Sequence, residues 1–150
     1  MDFIDLIYGE VRERLVSFIE FFMEHDSPKA REEVLNSPAL CFQYCKHIQD
    51  LEEVWRKLAG TPWAVHYCKE VVDRKELWSS LTKDEHLYRY CWTVMDRPEV
   101  VNKITSLDFL VRYFDNVDPK RTECYDKIMA LGGFPVGHRL HGVNIEVSHD

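Results

Sequence analysis

Cys41, Cys45 and His47 lie close together in the sequence, with His66 and Cys68 about one helix further on. Cys41 and Cys45 are one helical turn apart, so two thiolates could face a single ion. A following antiparallel helix would bring His66 or Cys68 back past them. Cys41, Cys45, His66 and Cys68 would then form a tetrahedral zinc set. The spacings argue the other way: C-x3-C and H-x-C match no strong zinc pattern. Residues two apart on a helix also point to different faces, which separates His66 from Cys68 and Cys45 from His47. Cysteine is among the most buried residue types without any metal. These residues are therefore expected to pack as core, with no cofactor, and zinc is the alternative.

Other chemistry is sparser still. His138 and His141 flank Arg139 in a glycine-containing stretch, where solvent exposure is the expectation. His25-Asp26 has no earlier histidine to complete a metal phosphohydrolase pair. His47, His66 and His86 are too closely spaced for the two haem-side positions of a globin. No nucleophile elbow, phosphate loop, H-E-x-x-H helix, dinucleotide fingerprint or EF-hand loop occurs. No enzymatic activity is expected.

The run from Leu87 to Trp92 places large side chains on every face of a helix. One face alone meets a core, so Tyr88 and Trp92 (i, i+4) with Arg89, or Tyr90 with Arg97, are candidates for exposure. Tyr, Trp and Arg are the types that anchor protein interfaces. Tyr88, Arg89 and Trp92 are the expected partner-binding residues. The corresponding function is a non-enzymatic adaptor, regulatory or virus-encoded host-interaction domain that binds another protein. Nucleic-acid binding, with Arg89 beside stacking rings, is the alternative. A formal charge of −7 provides no general basic footprint for phosphate contacts.

The 150 residues suit one domain, and 45% hydrophobic with 13% aromatic content suits a packed globule. Asp2, Asp5 and Glu10 interrupt the first apolar stretch, and no uncharged run reaches the length of a membrane span. The five cysteines are an odd number, as expected of reduced thiols. The expected location is cytoplasmic or nuclear, with no secretion and no membrane association.

The elements that must position these residues read as all-α. Ile4, Ile7, Val11, Leu15, Phe18 and Phe22 form the core stripe of a helix over 3–23. Ser37-Pro38 starts a second long helix, with Leu40, Tyr44, Ile48, Leu51, Trp55 and Leu58 on one face and Gly60 as its left-handed end. This helix over 38–59 is expected to be central. Ser27-Pro28, Thr61-Pro62 and Asp118-Pro119 mark further starts, and Thr82 with Glu85 reads as a capping box. The proline starts are unequally spaced, and no internal repeat is expected. The sum is one bundle of six to eight helices over 1–132 and a glycine-containing tail over 133–150. Val143–Val147 alternates like a strand and could pair with a second copy to make a homodimer.

Overall fold

The computed structural model describes residues 3–138, with side chains from Glu13 onward. Its helices are α1 (Phe3–His25), α2 (Pro28–Val34), α3 (Pro38–His47), α4 (Glu52–Trp55) running into a 3-10 turn (Arg56–Leu58), and α5 (Pro62–Glu70). They continue as α6 (Lys75–Trp78), α7 (Asp84–Thr93), α8 (Pro98–Val101), α9 (Leu107–Asn116) and α10 (Thr122–Ala130). No strand occurs among the described residues, and the fold is all-α as the periodicity predicts. No described helix is long and apolar enough to cross a membrane. The strand expected over 143–147, and His141, lie outside the described residues.

The ten α-helices exceed the expected six to eight because the long helices are cut. The predicted helix over 38–59 ends at His47. Ile48 leaves helical geometry at φ −110° and ψ −70° while its N–H still donates to the Tyr44 carbonyl at 2.8 Å. Asp50, just beyond, accepts the Tyr67 hydroxyl at 2.6 Å. That bond joins two elements and leaves no trace in local spacing. Gly60 does adopt the expected left-handed conformation, φ +74°.

The same joint recurs at Val71, Val94 and Val117, whose N–H groups each donate at 2.8 Å to Tyr67, Tyr90 and Tyr113. Contrary to the sequence expectation, the chain is a tandem repeat. Tyr44, Tyr67, Tyr90 and Tyr113 are 23 residues apart, and Cys45, Cys68, Cys91 and Phe114 follow them. Asp50, Asp73 and Asp96 keep the same interval. The modules are 38–60, 61–83, 84–106 and 107–130, each a first helix of nine or ten residues, a joint and a second helix. The last holds one extra residue before its second helix, so Arg121 follows Arg97 by 24. The prolines were misleading because helix starts tolerate many residues, whereas the joint demands its tyrosine and aspartate.

The repeated positions make the core. The four tyrosines are fully buried, as are Cys41, Ala64, Leu87 and Leu110 three residues before them. Val54, Leu77 and Val100 fill the second helices, and Leu58, Leu81, Ile104 and Ile128 close each module. Consecutive modules are joined by a polar triangle. Tyr90 Oη donates to Asp73 at 2.8 Å, and Arg97 donates to that hydroxyl at 2.7 Å and to the carboxylate at 2.8 Å. Tyr113, Asp96 and Arg121 form the next, and Tyr44, Asp26 and Arg31 a variant at the start. Lys103 and Lys127 then donate to Ser79 and Asn102 carbonyls just past α6 and α8, favourable places for a cation.

The helices gather into two compact units, up to Val72 and from Asp73 onward. In the first, Ser27 and Ser37 cap α2 and α3 as expected, accepting from Ala30 N and Leu40 N. Thr61 instead turns its hydroxyl back to the Leu58 carbonyl. The α1 stripe is less covered than a core stripe should be. Phe22 is buried, Leu15 and Phe18 are half-buried, and Phe21 is exposed. In the second unit the capping box at Thr82 does not form. Asp84 opens α7 and accepts from the backbone of Thr105 and Ser106, tying down the approach to α9. The start of the expected tail is packed: Phe134 lies 5.1 Å from the Phe114 ring and stacks on His138. His138 Nε2 is 2.9 Å from Asp115, so this histidine is held rather than solvated.

Candidate functional site

Helices α7 and α9 bring Tyr88, Arg89 and Trp92 onto one side of the second unit. Tyr88 is buried, a correction to its expected exposure. Its ring lies 5.5 Å from Trp92 and 5.9 Å from Phe109, and its hydroxyl accepts from Asn116 at 2.9 Å. Trp92 is 57% exposed on top of that support. Arg89 is exposed and pairs with Glu85 at 3.4 Å. Arg112 lies 5.0 Å over the Phe109 ring and pairs with Asp108. The Tyr90–Arg97 alternative is not supported, since Tyr90 is fully buried and Arg97 is held in the part-buried triangle with Asp73.

The repeat explains why this face forms. Two modules earlier, Phe42, Lys46, Trp63, His66 and Glu70 hold the positions of Tyr88, Trp92, Phe109, Arg112 and Asn116. There Phe42 lies 5.5 Å from Trp63 and Trp63 5.3 Å from His66 in tilted ring contacts, and Lys46 lies over Phe42 and pairs with Glu70. The joint residues stay constant because they hold modules together, while the outer positions of the first helices vary freely. Phe109, Arg112 and Asn116 escaped the sequence reading because they sit on another helix. The 23-residue interval was the signal that could have found them.

The proposed zinc ligands do not assemble. Among the described residues no three His, Cys, Asp or Glu side chains form a metal-holding group. Cys41 donates its thiol to the Val34 carbonyl at 3.2 Å, and His66 belongs to the ring cluster with Phe42 and Trp63. Cys45 and Cys68 occupy the same position in successive modules, a core position buried beside the tyrosine. Burial, with Asp50 nearby, pushes the Cys45 thiol up to about 12. Burial likewise raises Cys91 to about 12 and Cys124 to about 11, away from the range of a nucleophilic thiolate. The Tyr44 hydroxyl is raised to about 12, chiefly by burial and then by its bond to Asp26, and Tyr90 and Tyr113 are raised further. These hydroxyls stay protonated donors to aspartate, suited to holding structure.

What the fold and face define is a helical-repeat scaffold carrying a ring-supported tryptophan. Compared with protein-family models, curated proteins and solved structures, the chain matches none.

Proposed function

We propose that this chain is a non-enzymatic protein-binding repeat domain that engages its partner through the outer face of α7 and α9. The observation that carries this reading is Trp92, more than half exposed yet lying against the Tyr88 ring, which Phe109 flanks. A large exposed ring that loses little freedom on binding is the usual anchor of a protein interface. Arg89 and Arg112 border it and supply directional donors at the rim. Both are already paired with carboxylates, which favours a protein over a polyphosphate partner. Adaptor, regulatory and host-interaction roles all fit this reading. The buried, protonated thiols suit the reducing cytoplasm or nucleus.

Placing a photo-crosslinking amino acid at position 92, with position 126 on α10 as control, tests the proposal. Discrete protein adducts from position 92 alone, reduced at least tenfold by Arg112→Glu, are expected. Adducts of equal pattern from both positions, or adducts with RNA alone, would overturn it. A homodimer linked through position 92 would also replace the proposed heterologous partner.

A further inference from the structure

We infer that the groove between α1 and α2 in the first unit is a second docking site, which takes a basic amphipathic helix from a partner protein. Phe18 and Phe21 stand 23 residues before Cys41 and Tyr44. In every later module those two positions are fully buried. Cover comes from the module before: Cys41 donates to Val34 on α2, and Tyr44 reaches Asp26. Phe21 lacks the hydroxyl that would make such a bond and is 48% exposed. Beside it lies an open groove of about 930 Å³, whose apolar lining includes Phe18, Phe21, Ala30, Val34 and Leu40. No module precedes α1 in the described sequence order, and Phe21 stays exposed.

The occupant follows from length and charge. From Glu13 to Phe22 the groove runs along roughly 14 Å of α1, the span of two to three helical turns. A helix laid there meets apolar side chains with its i, i+3/i+4 and i+7 positions. Glu13, Glu32 and Glu33 line the groove against Arg14 and Lys29, and none of the three glutamates has an ion pair among the described residues. Lysine or arginine on the flanks of the incoming helix complements them.

The site stands on the first unit alone and is independent of the Trp92 face. The experiment uses the full chain and two fluorescent helical peptides with leucine at i, i+4 and i+7, one with lysine flanks and one with glutamate flanks. Fluorescence anisotropy is expected to show saturable binding of the lysine peptide and at least tenfold weaker binding of the glutamate peptide. Phe21→Ser and the pair Glu32→Lys with Glu33→Lys should each weaken the lysine peptide at least tenfold. Trp92→Ala should leave it unchanged. Phe21 is exposed, so circular dichroism should show the variant folded, and Leu40→Ser is a second variant on the same wall. Equal binding of both peptides, or binding unaffected by Phe21→Ser and Leu40→Ser, would overturn the inference. So would a dimer in sedimentation that Phe21→Ser dissolves, because the groove would then belong to a second copy.

Discussion

Tyr113 Oη donates to the Asp96 carboxylate at 2.6 Å across 17 residues of sequence, and Tyr90 does the same to Asp73 at 2.8 Å. Each aspartate sits in the joint of one module and each tyrosine in the first helix of the next. The arginine that completes each triangle comes from the second module's own joint. The bond therefore fixes how far one module stands from the next, and it does so with charged, part-buried partners.

Tyr113→Phe should cost about 1.5–3 kcal/mol, the range for a hydrogen bond to a charged group left with unpaired partners. Urea unfolding measures it. A double-mutant cycle with Asp96→Asn should show coupling above about 1 kcal/mol, since the two side chains share one bond. Additive losses would mean the triangle contributes no pairwise stability.

Tyr88 and Trp92 should separate cleanly. Tyr88→Ala removes a buried ring and is expected to cost about 3–5 kcal/mol. Trp92→Ala, at an exposed position, should cost about 1 kcal/mol or less. A Trp92 variant that unfolds would make this ring core and remove it from the proposed interface.

Stability should fall on the alkaline side. Cys45 and Cys91, raised by burial from 9.0 to about 12, keep their protons in the native state. Tyr44 behaves alike, raised from 10.0 to about 12. Unfolded chains lose these protons first, so the stabilisation is complete below about pH 9 and is lost as pH rises toward 12. The urea midpoint should be level near pH 8 and decline steadily above 9. Phenylalanine at position 44 should flatten part of that decline.

All five cysteines are buried, so iodoacetamide at pH 8 should modify none at the rate of a free thiol until urea unfolds the chain. Chelator should leave the melting temperature unchanged, as no metal-holding group forms among the described residues. Rapid labelling of native Cys41 or Cys45 would show that these thiols are not core, and a melting shift with chelator would return zinc to consideration.

Phe134→Ala should loosen the end of the array. Hydrogen exchange is expected to quicken in α10, where Tyr125 loses a ring neighbour. Unchanged exchange there would show that Phe134 does not cover the last module.

Much of the local structure was legible. Ser37-Pro38 starts a helix because the serine oxygen accepts a free N–H and proline has none to lose. Gly60 ends the region because only glycine takes a positive φ without strain. The break at Ile48 was not legible from periodicity, since the apolar stripe runs through it. Asp50, just beyond it, bonds a tyrosine 17 residues later, a partner on another element that local spacing does not show. The candidate face was half legible: Trp92 was found on its own helix, while Phe109 and Arg112 reach it from the next.

Composition and helical periodicity by themselves determined an all-α chain, because amphipathic spacing and caps are local physics. The 23-residue interval is also written in the sequence, in the tyrosines, cysteines and aspartates, but composition and helical periodicity did not reveal it. The tertiary structure decided which of those residues are constant for a reason. Long-range bonds tie Asp50, Asp73 and Asp96 to the tyrosines of the following modules, and packing between helices buries those tyrosines and leaves Trp92 outside. A side chain's role depends on the neighbour that covers it, and for Tyr88, Trp92 and Phe21 that neighbour comes from another helix or is absent among the described residues.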